Sequence, residues 1–263
     1  MTAFNRCPGK DWLVGDDGKP GYTFNPLTGC LYGCPYCYAR RFAQRGRGRY
    51  AKTGFEPTVH FDRFKVKPPK GQHRIFVGNM GDVCGNWTWA NYGVEELSWG
   101  PGTIQTWLWY YIEAYPACQF IMLTKNPGGL KRIEILSDEG KGGYEDLPRN
   151  LVWGISLTGN DPVSVERLRM FNEVRHPAER VVISYEPVLS PLPELPPVES
   201  GMGWLIIGAQ TGPGAIPPRL GWVHAACEIS RAAGWRVWVK DNIVNAPPPL
   251  GGVEWPREQL PFV

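Results

Sequence analysis

The chain has 263 residues, of which 43% are apolar, and a net charge of +3, values that suit one α/β domain with a buried core. No stretch of about 18 apolar residues exists, which excludes the pattern of a membrane-spanning helix. Residues 1–10 contain no apolar run typical of a signal peptide. We therefore expect a single domain over residues 1–263, in a cytoplasmic protein with no membrane partner.

Short apolar runs recur along the chain, and each ends in polar residues or glycine. They predict six strands, near residues 74–77, 119–123, 151–155, 181–183, 204–207 and 236–239, and a seventh strand is expected before the cysteine cluster, near residues 22–24. Runs of this length without polar interruption are typical of strands that are buried on both faces of a sheet.

Helical patterns fall between the predicted strands, at about 94–114, 162–174 and 222–233. Asp161 before Pro162 is typical of a helix N-cap, and Gly234 is placed where a helix ends. The alternation of strands and helices predicts an α/β fold with a mainly parallel sheet. We expect a partial (β/α) barrel with six or seven strands, whose reacting groups lie at the carboxyl ends of the strands.

Three of the seven cysteines, Cys30, Cys34 and Cys37, fall within eight residues in the pattern C-x3-C-x2-C. Three thiolates on one short loop suit a soft metal centre such as an iron–sulfur cluster. A structural zinc site normally has four ligands in two pairs, and no second C-x2-C pair exists. The alternative is a zinc site completed by Cys7 or His60.

Basic residues are concentrated between Arg40 and Arg74, here called the basic segment. Eleven Lys and Arg residues lie there against Glu56 and Asp62, a local charge of 11 − 2 = +9. Such a segment indicates a polyanionic partner, or else a solvated surface loop. Trp87 and Trp89 follow the second predicted strand and are candidates for stacking on a nucleic-acid base.

The cysteine pattern, with Tyr36 before Cys37 and an aromatic residue after it, resembles the signature of the radical S-adenosylmethionine (SAM) superfamily. Further segments occur in an order that resembles an uncharacterised, phage-associated radical SAM family of unknown function: Gly-Asn-Met-Gly-Asp, Leu-Thr-Lys, Trp-Gly-Ile-Ser, Ser-Tyr-Glu-Pro and Trp-Val-Lys. That family is in turn similar to spore photoproduct lyase, which repairs a thymine dimer in DNA.

The resemblance implies two cofactors. A [4Fe-4S] cluster would be held by Cys30, Cys34 and Cys37 on the loop of residues 29–38, here called the cysteine loop. The open iron would chelate the amino and carboxylate groups of SAM. Reductive cleavage would then give methionine and a 5′-deoxyadenosyl radical that abstracts hydrogen from a substrate. The electron would come from a donor such as flavodoxin or ferredoxin.

The resemblance also implies cofactor-binding residues that follow successive strands. Tyr36 would lie near the adenine, and Gly78, Asn79 and Asp82 would meet the SAM amino group. The remaining candidates are Lys125 for the SAM carboxylate, Ser156 for the ribose or carboxylate, and Glu186 for the ribose hydroxyls. The alternatives are structural: a turn capped by Asp82, a solvated lysine, a turn serine and a capping glutamate. Lys240 and Asp241 are expected to contact substrate or to pair with each other.

A radical enzyme that repairs its substrate must often return a hydrogen atom to the product radical. Cys84 lies just beyond the second predicted strand and is the expected thiol donor, with Tyr185 as the alternative. The competing interpretation is that Cys84 is a small buried apolar residue.

These observations predict a radical SAM enzyme that acts on a nucleic acid or nucleotide, in DNA repair or modification. DNA or RNA would bind through the basic segment. The alternatives are radical SAM chemistry on a small molecule or peptide, and a non-enzymatic metal-stabilised protein that binds nucleic acid.

Overall fold

The computed structural model describes residues 3–46, 50–89, 104–130, 134–136, 142–144, 147–199, 201–247 and 253–262. Arg47, Arg49 and the predicted helical residues 94–103 lie outside the described residues. The strands are β1 (Phe4–Arg6), β2 (Tyr22–Phe24), β3 (Leu27–Thr28), β4 (Thr58–Val59), β5 (His73–Val77), β6 (Cys118–Thr124), β7 (Glu134–Leu136), β8 (Gly142–Tyr144), β9 (Leu151–Leu157), β10 (Val181–Tyr185), β11 (Gly203–Ile207) and β12 (Arg236–Val239). The α-helices are α1 (Tyr38–Ala43), α2 (Tyr50–Thr53), α3 (Ile104–Glu113), α4 (Pro162–Val174), α5 (Leu220–Ala232) and α6 (Asp241–Val244).

Eight strands form one mixed sheet in the order β1-β2-β5-β6-β9-β10-β11-β12. The seven strands from β2 to β12 are mutually parallel, and β1 is antiparallel to β2 at one edge. The seven parallel strands are the six that the apolar runs predict and the one expected near residues 22–24, within two residues at each end. The sequence gives no apolar signal for β1, because two of its three residues are exposed.

The two faces of the sheet bury different sets of side chains. One face packs against α3, α4 and α5 through residues such as Leu108, Phe171 and Val223. The other face buries alternate strand residues without any of these helices: Phe76, Ile121, Val152, Val182, Trp204, Ile206 and Trp238. Trp12, Leu13 and Leu260 fill the space over this second face, here called the inner face. The helices therefore lie on one side, as sequential parallel strands with crossovers of one hand require.

The predicted helix signals are confirmed where the structure describes them. Asp161 is the N-cap of α4, and its carboxylate accepts a hydrogen bond from the Ser164 backbone at 3.0 Å. Pro162 occupies the first helical position. Gly234 follows α5 with a φ of +87°, a left-handed conformation that glycine adopts without steric cost. No helix in the described part of the chain is long and apolar enough to cross a membrane.

Gly154 in β9 provides a test of the pairing between β9 and β10. A Cβ at this position would lie 1.5 Å from the Val182 carbonyl oxygen, so β9 and β10 cannot keep their pairing with alanine there. We predict that Gly154→Ala lowers the free energy of unfolding by about 3 kcal/mol or more. Gly221→Ala is the matched control, because a Cβ there meets nothing within 4 Å. It should be neutral or stabilising by up to about 1 kcal/mol in urea unfolding. Equal effects of the two substitutions would contradict the described strand pairing.

Candidate functional site

A cavity of about 350 Å³ lies at the carboxyl edge of the parallel sheet. Its lining includes side chains that follow or end several strands: Asn79 after β5, Lys125 after β6, Ser156 and Ser184 near the ends of β9 and β10, Glu186 after β10 and Lys240 after β12. Ser156 and Ser184 are paired neighbours in the sheet. A smaller cavity of about 170 Å³ shares several of these residues and is also lined by Gly78 and Asp82.

The cysteine loop forms another wall of the larger cavity. Cys30, Cys34, Cys37 and Tyr36 all line it, and the three cysteines are reduced and half-buried. Across the described residues, no three or more His, Cys, Asp or Glu side chains form a group that could hold a metal ion. In a cubane each cysteine binds a different iron, so its ligands surround a cluster and do not converge on one ion.

Backbone contacts attach the cysteine loop to the turn after β5. The Gly29 amide donates to the Met80 carbonyl at 2.8 Å, and the Met80 amide donates to Asn25 Oδ1 at 2.8 Å. Gly29 has a φ of +90°, and a Cβ there would lie 2.1 Å from the Glu56 carbonyl oxygen. Only glycine fits this position, which explains the residue immediately before Cys30.

The sulfur atoms take part in the local structure of the loop. Cys37 is the N-cap of α1, and its Sγ accepts a hydrogen bond from the Arg40 backbone at 3.3 Å. The Arg40 guanidinium donates to the Cys30 carbonyl at 3.0 Å, which ties the two ends of the motif together. Burial raises the pKa of the Cys30 thiol to about 12, partly offset by a hydrogen bond from the Tyr32 backbone. A thiolate at Cys30 therefore requires a compensating positive charge nearby.

Asp82 is a buried hydrogen-bond acceptor that joins the ends of two strands. Its carboxylate accepts from the Cys84 amide at 3.0 Å, from the Thr124 hydroxyl at 2.8 Å and from the Lys125 amide at 2.8 Å. Burial raises the pKa of Asp82, and these hydrogen bonds oppose that rise. Asp82 thus fixes the position of the Lys125 backbone immediately after β6.

Lys125 and Ser156 are held in the cavity wall by a common partner. The Arg167 guanidinium on α4 donates to the Lys125 carbonyl at 2.9 Å and to the Ser156 carbonyl at 2.6 Å. The Lys125 ammonium lies 3.4 Å from the Tyr36 hydroxyl and 5.4 Å from the centre of its ring. Burial lowers the pKa of Lys125, while the neighbouring Cys34 raises it.

Glu186 and Lys240 form an ion pair of 2.6 Å in the same cavity. A Cβ at Gly208 would lie 2.7 Å from the Glu186 carboxylate and 2.9 Å from the Lys240 side chain, so glycine leaves room for this pair. Asp241 pairs with Arg257 instead of Lys240. The expected pairing of Lys240 with Asp241 is therefore wrong, because Lys240 pairs with Glu186 and Asp241, the first residue of α6, pairs with Arg257; the alternative contact with substrate stays a prediction.

The two predicted hydrogen-atom donors lie apart from these residues. Cys84 and Tyr185 are both 0% exposed, belong to the helix-covered core, and line neither cavity. The Tyr185 hydroxyl donates to the Ser190 carbonyl. Burial raises the pKa of both side chains. The structure does not bring either residue to the candidate site, and their donor roles stay predictions.

Further residues of the site are not among the candidates that the sequence predicts. Lys10, Trp12 and Tyr38 line the larger cavity, together with Ser184. Tyr38 follows the third cysteine and donates to Asn79, so the aromatic residue after the motif is the one signal available for it. Lys10 and Trp12 belong to the connection between β1 and β2, which no motif identifies.

The basic segment is not one continuous surface. Arg63 and Arg74 are buried, and Arg74 donates to the Leu260 carbonyl and to Gln119. The exposed members among the described residues are Arg45, Lys65, Lys67 and Lys70. Trp87, a candidate for base stacking, packs its ring edge-on against Tyr32 with centroids 4.8 Å apart.

Asp82→Asn tests the junction between β5 and β6. The amide would turn its NH2 group toward either the Cys84 or the Lys125 N–H group, leaving that N–H without an acceptor, so we predict a loss of about 1–3 kcal/mol in the free energy of unfolding. Asp17→Asn removes an acid whose ion pair with Lys19 is exposed, and should change stability by no more than about 0.5 kcal/mol. Urea unfolding compares the two, and a loss no greater for Asp82 would contradict its structural role.

Comparison with known proteins gives one family. Residues 20–242 match the family described as "Protein of unknown function (DUF5131)". No curated protein matches the chain, and no solved structure matches it either. The matched range contains the cysteine loop, all seven parallel strands and Lys240. The chain therefore belongs to the DUF5131 family.

Proposed function

We propose that this protein is a radical SAM enzyme, with a [4Fe-4S] cluster on Cys30, Cys34 and Cys37 and SAM in the adjoining cavity. One observation carries the proposal. The three cysteines line the same cavity as five residues that the sequence resemblance assigns to SAM: Tyr36, Asn79, Lys125, Ser156 and Glu186. Tyr36 belongs to the cysteine loop itself, whereas the other four come from four separate segments of the chain, so their convergence with the cysteines does not follow from sequence proximity.

The donor atoms present suit this group better than zinc. Three soft sulfur ligands lie on one loop, and the two proposed fourth ligands have other partners. His60 Nε2 lies 2.8 Å from the Thr28 hydroxyl, and Cys7 Sγ lies 3.7 Å from that of Thr23. The Tyr32 hydroxyl borders the smaller cavity and is buried without a hydrogen-bond partner among the described residues. A bound ligand with acceptor atoms would satisfy this donor.

When bound, the cluster and SAM supply one-electron cleavage of a carbon–sulfur bond and a carbon radical, chemistry that side chains do not provide. The protein's residues bind and orient. The Lys125 ammonium suits the SAM carboxylate, and Tyr36 beside it offers a ring face for the adenine. Ser156 and Glu186 offer a hydroxyl and a carboxylate to the ribose hydroxyls. Phe76, Leu123 and Ile206 form an apolar part of the cavity lining and limit access of water from the side of the sheet.

The finer form of the fold is part of the same proposal. A partial (β/α) barrel of radical SAM type agrees with sequential parallel strands, helices on one face, and a cavity over the inner face. The strand order, the two separate cores and the position of the cavity support this interpretation.

The substrate we propose is a nucleic acid or nucleotide. The exposed basic side chains of the segment are those of Arg45, Lys65, Lys67 and Lys70, and they can contact phosphate groups. Arg41 donates a hydrogen bond to the Thr211 carbonyl at the cavity wall. An electron donor such as flavodoxin or ferredoxin would complete the system. Leu31 and Phe42 are exposed on and beside the cysteine loop, where an acidic protein could dock.

The first prediction concerns metal content. Anaerobically purified protein should be brown and carry about four irons per chain, as a cubane requires. Changing Cys30, Cys34 and Cys37 to alanine should remove iron and sulfide. Cys227→Ala is the control, because Cys227 is buried in α5 away from the cavity, and it should retain both. Stoichiometric zinc without iron, in protein made with adequate iron, would contradict the proposal.

The second prediction concerns SAM binding to the reconstituted protein. Lys125→Met should weaken binding at least tenfold, about 1.4 kcal/mol, since it removes the only cation next to Tyr36 and Cys34 among the cavity-lining residues. Ser156→Ala should cost about 1 kcal/mol, the typical value of one hydrogen bond. Equilibrium dialysis measures both, with Lys19→Met as an exposed control. Wild-type affinity in both cavity variants would show that SAM binds elsewhere.

The third prediction concerns nucleic acid. Replacing Arg45, Arg47 and Arg49 by glutamine should weaken DNA or RNA binding and reduce the slope of log K against log salt by about 2–3, as expected for three lost phosphate contacts. The control variant replaces three exposed basic residues elsewhere in the chain by glutamine: Lys19, Arg149 and Arg169. It removes the same number of positive charges. Equal slopes for the two triple variants would favour a small-molecule substrate.

A further inference from the structure

Lys10 is a cation in the cavity that the proposed cofactor chemistry does not use. It lies between β1 and β2, immediately before a short 3-10 turn at Asp11–Leu13. Its ammonium lies 5.3 Å from the centre of the Phe76 ring and 5.5 Å from the centre of the Tyr38 ring. No described residue forms a hydrogen bond or ion pair with the Lys10 ammonium.

The charges in the cavity lining do not balance. Three lysines, Lys10, Lys125 and Lys240, line it against one carboxylate, Glu186. Glu186 is already bound to Lys240 at 2.6 Å, and Lys125 lies beside Tyr36 at the cysteine loop. Lys10 is therefore the lining cation left without a carboxylate, and an unpaired charge at a partly buried position is unfavourable.

Burial and the repulsion from Lys240 lower the pKa of Lys10, although the charge of Glu186 acts in the opposite direction. A negatively charged ligand in the cavity would relieve both effects. The residues that share this cavity include neutral donors, the side chains of Ser184, Gln210 and Thr211. An ammonium with hydroxyl and amide donors around it is a common arrangement for binding phosphate oxygens.

We propose that Lys10, assisted by Lys240, forms a subsite for a phosphate group of the substrate, inside the cavity that it shares with the proposed SAM-binding residues. This inference rests on the proposed function for the identity of the substrate as a nucleotide or nucleic-acid strand. Arg41, which donates to the Thr211 carbonyl at 2.7 Å, adds a cation near the same wall and favours entry of an anion from that side. The shared chemistry is a phosphate ester, either the monoester of a nucleotide or the diester of a strand.

The test measures binding to the reconstituted protein with SAM present, by calorimetry. The probes are the four 2′-deoxynucleosides, their 5′-monophosphates, and the four homodinucleotides with a single phosphodiester. At least one phosphate-bearing probe should bind tenfold or more tightly than its nucleoside. A preference for the monophosphate identifies a free nucleotide, and a preference for the dinucleotide identifies a strand; both support the subsite.

Variants separate Lys10 from general effects. Lys10→Met should reduce phosphate-dependent affinity at least tenfold and leave nucleoside binding unchanged, while Lys10→Arg should retain most of it. Lys19→Met, an exposed lysine, should bind like wild type. Lys10→Met should also fold, because a methionine side chain can pack against the Phe76 and Tyr38 rings. Urea unfolding measures the stability of the variant. Lys10→Gln is the second neutral variant. Two results would overturn the proposed subsite. One is that no phosphate-bearing probe binds more tightly than its nucleoside. The other is that the neutral variants bind the preferred phosphate-bearing probe like wild type.

Iron content and SAM binding measured on the same preparations distinguish the two levels of the proposal. Protein that holds its cluster and SAM but shows no phosphate preference overturns the subsite alone. Protein that binds phosphate through Lys10 but forms no cluster overturns the proposed function and leaves an anion site that depends on this lysine.

Discussion

The parallel direction of seven adjacent strands is the constraint on which the candidate site depends. All seven parallel strands of the large sheet end at the same edge, so the residues that follow each strand are brought together whatever their separation in sequence. Along the inner face, Val152 and Val182 pack at the start of their strands, whereas Ser156 and Ser184 lie at the ends and face the cavity. The same two strands therefore build an apolar floor and a polar wall.

The cysteine loop depends on that edge for its position. It is bound to the turn after β5 through Gly29, Met80 and Asn25, and that turn is joined to the end of β6 by Asp82. The loop, the turn and Lys125 thus form one hydrogen-bonded unit. In such a unit a ligand on the cysteines and a ligand on Lys125 would share one cavity, which is the arrangement that the proposed cluster and SAM would require. Asp82 contributes by holding this unit together more than by presenting free acceptors.

Much of this architecture is predictable from sequence, and the limits have physical reasons. Continuous apolar runs identify six of the seven parallel strands, and the Asp161–Pro162 pair identifies the start of α4. The side on which a residue lies at a strand end is harder to predict, since neighbouring side chains point to opposite faces. Ser184 thus faces the cavity while Tyr185 enters the core, and Cys84 is buried by the turn that Asp82 organises. A count of basic residues also overestimates the positive surface charge where arginines are buried, as Arg63 and Arg74 are. Lys10 comes from a connection without periodicity, so only the three-dimensional structure places it in the cavity.

We propose that the cavity holds SAM beside an iron–sulfur cluster on three cysteines, and that the reduced cluster supplies the electron that cleaves it. The most direct measurement is incubation of anaerobically reconstituted protein with SAM and dithionite, followed by mass spectrometry of the small-molecule products. We expect 5′-deoxyadenosine and methionine, both absent when Cys30, Cys34 and Cys37 are replaced by alanine. Protein that carries its full complement of iron and sulfide, binds SAM and yields no 5′-deoxyadenosine under these conditions would contradict it.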